Sequence, residues 1–239
     1  AIGLQNPGIE TFIQRDLAFL HEKNARIIVN VCGHSEEEYL AVVERLASED
    51  VDMLEINISC PNVKAGGITF GQDPKCAEDI TKKVKAIAKQ PVIMKLSPNV
   101  TSIAEMAKAV EAGGADGVSL INTLTGMKID VARKTFALAN KTGGMSGPCV
   151  KPVAVRMVWQ CANAVKIPIV GMGGILTAVF QIVWLVAKSI TPKAKPVWIL
   201  MFAWIMGAIC APCGLSGFLA STFGEGFSVM IPVGGYNMY

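Results

Sequence analysis

Short apolar segments alternate with helical patterns along the first three quarters of the chain, and this alternation limits the fold more than any other feature. The predicted strands are 25–31, 52–58, 91–96, 117–121 and 167–170. Between and before them, 9–23, 35–46, 73–89, 101–112 and 151–164 carry apolar residues near helical spacing. Ser35 is placed as an N-cap with Glu38 three residues on, which is a capping box. Strands this short and this apolar suit a parallel sheet covered on both faces. Strict alternation of strand and helix predicts an α/β fold with such a sheet.

Polar residues and glycine collect at the C-terminal ends of the strands: Asn30, Asn57, Lys95, Asn122 and Gly173. A β/α barrel builds its site from the loops at that end, whereas an open doubly wound sheet concentrates it at one switch point. The spread over every strand end favours a partial (β/α)8 TIM barrel, with about five of its eight strands read here. The richest end is Asn57-Ile58-Ser59-Cys60-Pro61-Asn62, followed by the loop Lys64-Ala65-Gly66-Gly67. Amides read a planar polar ring by donor and acceptor, and a thiol can become a thiolate and take a proton. The plainer alternative for the same residues is a buried structural Cys beside turn-forming Asn and Pro. Residues 124–147 form a long Gly- and Lys-rich connection, a length that tends to be functional.

Composition matters because it changes along the chain. Residues 176–239 hold only Lys188, Lys193, Lys195 and Glu225, a formal +2 that leaves the first 175 residues at +1 of the overall +3. Near-neutral charge gives no case for nucleic acid. The run from Pro196 to Gly224 has no charged residue over 29 positions, and about 20 apolar residues suffice to cross a bilayer. Trp198 and Trp204 lie near its start, with the three lysines flanking it. The expectation is therefore two units: a β/α barrel part over 1–175 and an apolar, membrane-spanning helical tail over 176–239. Seven cysteines, an odd number, are scattered over the chain, and no charged-then-apolar leader opens it. Reduced thiols in the cytoplasm fit that pattern. Cys210 and Cys213 have redox-motif spacing but neither a βαβ context nor a second pair, so no metal site is predicted.

Taken together, the strand ends resemble one family. Asn57-Ile58-Ser59-Cys60-Pro61-Asn62, Lys95-Leu96-Ser97-Pro98-Asn99-Val100, Asn122-Thr123-Leu124-Thr125-Gly126, Gly143-Gly144-Met145-Ser146-Gly147-Pro148 and Gly171-Met172-Gly173-Gly174 are similar in order and spacing to dihydroorotate dehydrogenase. Val63-Lys64-Ala65-Gly66-Gly67 and Ser97-Pro98-Asn99-Val100-Thr101 draw the likeness toward the NAD-linked, two-subunit branch of class 1. The resemblance covers residues 1 to about 175. It implies an FMN-binding barrel that oxidises (S)-dihydroorotate to orotate in pyrimidine biosynthesis.

The resemblance makes Cys60 the catalytic base, taking the C5 proton while hydride leaves C6 for the flavin. A free thiol titrates at about 8.5, so modest help makes it partly thiolate at neutral pH. By the same resemblance Asn57, Asn122 and Thr123 hold the substrate ring, with the backbone of Ile2, Gly3 and Leu4 closing round its carboxylate side. Asn30, Asn57, Lys95 and Ile121 line the flavin, and Gly147, Gly173 and Gly174 approach its ribityl and phosphate. Lys95 is the cation expected near the pyrimidine end of the ring, where positive charge stabilises a reduced anionic flavin. FAD, an iron–sulfur cluster and NAD are implied only through an electron-transfer partner subunit, and the full enzyme is implied to be a homo-oligomer.

Departures accompany the likeness. Two further β/α units, with a flavin- and substrate-binding Lys and a substrate Asn, are expected before Ala1. The change of character near Ile175 falls inside what should be a helix, without a linker, as a gene-model or assembly join would place it. The chain alone is therefore expected to bind FMN weakly or not at all. Two alternatives stand beside the leading reading. One is a fragment of a membrane transport protein carrying an inactive barrel remnant. The other is a pyrimidine oxidoreductase like the barrel domain of dihydropyrimidine dehydrogenase, against which Asn62-Val63-Lys64 speaks.

Overall fold

The computed structural model describes residues 6–59 and 70–174, and the backbone of Ser228–Gly234. Strands β1 (Arg26–Cys32), β2 (Met53–Asn57), β3 (Val92–Lys95), β4 (Gly117–Leu120) and β9 (Ile169–Gly171) form one parallel sheet in the order β1-β2-β3-β4-β9. These are the five strands the alternation predicts, each placed within two residues. The α/β class and the partial barrel reading agree with this sheet.

The helices form where caps and periodicity direct. Helix α3 (Glu36–Leu46) starts at Ser35, whose hydroxyl accepts the Glu38 N–H at 3.3 Å. The Glu38 carboxylate reaches one residue further back than a capping box does, to the His34 N–H at 2.7 Å. Tyr39, Val42, Val43 and Leu46 are its buried residues, one stripe at helical spacing. Asp73 caps α4 (Pro74–Ile87) and Ser102 caps α5 (Ile103–Ala112), each by accepting an N–H three residues on. Helix α6 (Lys151–Ala162) has Pro152 in its first turn, where a missing N–H leaves no bond unmade. The opening segment is helical in three pieces: α1 (Ile9–Thr11), a π turn over Phe12–Leu17, and α2 (Ala18–Glu22).

Alternate strand residues Ile27, Val29, Val31, Leu54, Ile56, Val92, Met94, Val118 and Leu120 join the buried stripes of the helices in one core. At the N-terminal ends of the strands, Asp52 accepts the Ile27 N–H at 2.7 Å and pairs with Arg26. Asp116 does the same for the Val92 N–H, at 2.7 Å, and pairs with Lys85. The Ile27 N–H, helped by Arg26, holds the Asp52 carboxyl below its ordinary range.

Two parts differ from expectation. The connection over 124–147 is not an irregular loop: β5 (Leu124–Met127) pairs antiparallel with β8 (Thr142–Met145), and β6 (Ile129–Asp130) with β7 (Thr135–Phe136). These strands are short and Gly-interrupted, so they carry almost no alternation for a sequence reading to detect.

The second difference is the tail. The expected membrane-spanning helix finds no support: among the described residues no helix is long and apolar enough to cross a membrane. The stretch from Pro196 to Gly224 on which that expectation rested lies outside the described residues, as does the Cys210 and Cys213 pair. The part of the tail that is described, β10 (Ser228–Gly234), is a strand and not a helix. It runs parallel to β1, from Arg26 opposite Ser228 to Cys32 opposite Gly234. A seven-residue strand is an ordinary length for an edge strand.

Candidate active site

Side chains alternate across a strand, so the residues between the core positions point away from the helices. On β1 to β4 these are apolar near the strand starts, with Ile28, Met53 and Ile93, and towards the C-terminal ends they are Asn30, Cys32, Glu55, Asn57, Lys95 and Ser119. A barrel interior collects such residues into layers, each contributed by alternate strands. Here Asn30 lies opposite Glu55 in the β1–β2 ladder, Asn57 opposite Lys95 in β2–β3, and Lys95 opposite Ser119 in β3–β4. Asn30, Glu55, Asn57 and Ser119 are buried, while Lys95 is half-buried.

Buried polar groups need partners, and these find one another. The Asn30 amide donates to Glu55, and the Ser119 hydroxyl donates to the second oxygen of the same carboxylate. The Cys32 thiol donates to Asn30 Oδ1 at 3.2 Å and accepts from Asn57 Nδ2 at 3.5 Å. Asn57 Oδ1 accepts from both the N–H and the hydroxyl of Ser59, and Asn122 Nδ2 donates to that hydroxyl. The Tyr39 hydroxyl pins the end of β2 by donating to the Asn57 carbonyl at 2.7 Å.

Asn99 holds the next loop in place. Its amide donates to the Thr123 carbonyl at 3.0 Å and accepts the Thr125 N–H at 3.0 Å. Thr123 itself is exposed beside Asn122. An open depression of about 480 Å³ lined by Gln72, Pro98, Asn99, Val100 and Thr101 lies beside this loop, and none of the buried polar residues lines it.

A second cluster sits where β4 and β9 run out. The Ile121 N–H donates to the Met172 carbonyl at 3.0 Å. Gly147, Gly173 and Gly174 have φ of +90°, +113° and +66°. A Cβ on Gly174 would lie 2.4 Å from the Gly147 carbonyl oxygen, and one on Gly173 would lie 2.9 Å from the Ile121 side chain. Only glycine tolerates both the conformation and the approach.

Of the residues singled out in the sequence, Asn30, Asn57 and Asn122 fall in one hydrogen-bonded group with Lys95 adjacent to it in the sheet. Ile121, Gly147, Gly173 and Gly174 fall in the second cluster. Cys60, Ile2, Gly3 and Leu4 lie outside the described residues; Ser59, directly before Cys60, is in the amide group. Glu55 was missed, because it stands inside an apolar run and was counted with the strand. The signal was present: two residues before Asn57 in a strand is the same face.

A family model described as dihydroorotate dehydrogenase matches residues 1–182. The chain belongs to the dihydroorotate dehydrogenase family. Among curated relatives, one from Lachnoclostridium phytofermentans is 69% identical over 178 residues, covering 74% of this chain and 59% of the relative. One from Alkaliphilus metalliredigens is 60% identical over 177 residues, covering 74% and 59%. One from Alkaliphilus oremlandii is 55% identical over 189 residues, covering 79% and 63%. Each of these is named dihydroorotate dehydrogenase B (NAD(+)), catalytic subunit. The chain thus spans about three fifths of the length of these relatives. The match ends at residue 182, close to where the composition changes.

Family membership implies a flavin, and the described residues fit one. Asn30 and Asn57 are buried, and each uses one amide hydrogen on a described partner, leaving a second donor for a ligand. The Gly147–Gly174 contact is a backbone cradle that a side chain would fill.

Proposed function

We propose that this chain carries most of the active site of a dihydroorotate-oxidising enzyme of the NAD-linked, two-subunit type, acting in pyrimidine biosynthesis in the cytoplasm. The observation that carries the reading is the linkage of Asn30, Asn57 and Asn122, from three different strand ends, into one hydrogen-bonded group on a parallel sheet.

In this reading Asn57, Asn122 and Thr123 hold the dihydroorotate ring, the amide NH2 groups donating to its carbonyl oxygens. The backbone of Ile2, Gly3 and Leu4 closes round the carboxylate. Cys60, as thiolate, accepts the C5 proton and becomes a thiol. A bound FMN would supply the acceptor for the hydride lost from C6. Asn30, Asn57, Lys95 and Ile121 would line its ring, and Gly147, Gly173 and Gly174 would admit its ribityl and phosphate to backbone donors. The Lys95 ammonium makes no hydrogen bond or ion pair among the described residues, which suits a cation reserved for a bound group. Electrons would pass to NAD through a partner subunit with FAD and an iron–sulfur cluster, in a homo-oligomeric assembly. The names of the relatives, each a catalytic subunit, support a separate partner.

The test is a full-length hybrid in which residues 1–175 replace the matching stretch of the Lachnoclostridium phytofermentans relative. The hybrid is expected to oxidise dihydroorotate, and Cys60→Ala is expected to lower kcat by at least about 100-fold, the range for removing a positioned general base. A folded, flavin-loaded hybrid without turnover would sink the reading. The chain 1–239 alone is expected to titrate with FMN weakly or not at all, by flavin fluorescence.

A further inference from the structure

Six side chains along the C-terminal strand ends form one hydrogen-bond chain that runs in a single direction, and Ser119 donates into its last member. It starts at the Thr123 N–H, which donates to Asn122 Oδ1 at 2.8 Å. Asn122 Nδ2 donates to Ser59 Oγ, and the Ser59 hydroxyl donates to Asn57 Oδ1. Asn57 Nδ2 donates to Cys32 Sγ, and the Cys32 thiol donates to Asn30 Oδ1. Asn30 Nδ2 donates to Glu55, where the chain ends; Ser119 closes the other carboxylate oxygen.

Most members of this chain could face either way. An amide has a donor end and an acceptor end, and a hydroxyl or thiol both donates and accepts. A carboxylate only accepts. Glu55 is fully buried, so no water can stand in for its partners. It therefore obliges Asn30 to present its NH2 group. The Asn30 oxygen is then left for the Cys32 S–H, the Cys32 sulfur is left for the Asn57 NH2, and the same constraint passes through Ser59 to Asn122. Aligned bonds polarise one another, which favours this direction over its reverse.

We infer that Glu55 is a positioning residue: it fixes the amides of Asn30, Asn57 and Asn122 with their NH2 groups as the ligand-facing polarity of the site. Each NH2 group has a second hydrogen, so the site is built to donate. It selects a planar ring rich in carbonyl acceptors and rejects one that presents N–H donors at those positions. The identity of that ring rests on the function proposed above; the direction of the chain does not.

The test uses 1–239 labelled with 15N in asparagine side chains and needs no ligand. In Glu55→Gln, which can offer an NH2 group to Asn30, the side-chain NH2 signals of Asn30, Asn57 and Asn122 are expected to shift or double. The melting temperature reports in parallel that the fold is kept. In a Cys32→Ala background the chain is cut, so Glu55→Gln is expected to move Asn30 alone. Cys32→Ser, which keeps a donor and an acceptor, is expected to restore the long-range effect. Unmoved Asn57 and Asn122 signals in Glu55→Gln, or signals that move equally with the chain cut, would overturn the inference. Should Glu55→Gln fail to fold, Cys32→Ala against Cys32→Ser decides. Only the Ala variant is expected to move Asn57 and Asn122, and equal effects of the two would overturn the inference. Loss of turnover in the hybrid enzyme bears on the proposed function alone, so the two failures are distinguishable.

Discussion

The two faces of the same four strands, β1 to β4, divide the work of the molecule. On the helix side Val29, Val31, Leu54, Ile56, Val92, Met94, Val118 and Leu120 are buried hydrocarbon. On the other side, one residue along each strand, stand Asn30, Cys32, Glu55, Asn57, Lys95 and Ser119. Towards the C-terminal ends of the strands, beyond Ile28, Met53 and Ile93, most of these side chains are buried too, yet the chemistry of what is buried is opposite. Removing hydrocarbon from water stabilises the fold with little regard to direction. Burying amides and a carboxylate roughly breaks even once they are bonded, and fixes direction instead. A sheet can therefore draw its stability from one face and keep the other for recognition.

Leu54 offers the sharpest way to break this division. It is fully buried on the helix side, so Leu54→Ala is expected to lower the unfolding free energy by about 2–5 kcal/mol. Urea denaturation measures it. A loss below about 1 kcal/mol would mean that the helix-side packing is not what holds the sheet.

The strand ends sharpen the comparison through pH. The Ile27 N–H and Arg26 depress the Asp52 carboxyl below the ordinary carboxylate range. A depressed carboxyl contributes stability that is present above its unfolded value and is lost as pH falls through its folded value. Wild-type stability should therefore decline below a pH of about 4, the unfolded carboxyl range, and Asp52→Asn should flatten part of that acid limb. Asp52 is partly exposed, which keeps the effect modest. An unchanged acid limb in urea titrations at several pH values would remove Asp52 from the account.

Lys95 should give the smallest stability effect of all. It is half-buried and has no partner among the described residues. Lys95→Ala is expected to change the unfolding free energy by no more than about 0.5 kcal/mol, in the same urea titration. A larger loss would show Lys95 to be structural and would weaken its assignment to a bound group.

Much of this was legible in the sequence. The cap at Ser35 and apolar stripes at helical spacing marked the helices, because local chemistry decides those features; the caps at Asp73 and Ser102 emerge only in the structure. The five parallel strands were legible because each is short, apolar and bounded by helix signals. Asn30, Asn57 and Asn122 were legible as strand-end amides. That they touch one another was not, since the contact depends on how three strands sit side by side. Glu55 was hidden by its apolar neighbours, and Cys32 by its distance in sequence from Asn57. The β5–β8 arm escaped because glycines and two-residue strands leave no period to read. The uncharged stretch from Pro196 to Gly224 lies outside the described residues, and the strand at Ser228–Gly234, paired with β1, was not legible because the tail was read as helical throughout.

The most direct test of the division between the faces compares two adjacent residues of one strand, Ile56 and Asn57, in the hybrid enzyme. Urea unfolding and dihydroorotate turnover would be measured on the same preparations, with turnover expressed per folded, flavin-loaded molecule. Ile56→Ala is predicted to lower stability by about 2–5 kcal/mol and to leave that turnover within a few-fold of the parent. Asn57→Ala is predicted to lower kcat/KM by at least about 10-fold, the effect of about 1.4 kcal/mol of lost transition-state binding, with the smaller stability loss of the two. Turnover that falls with Ile56→Ala and survives Asn57→Ala would contradict the account.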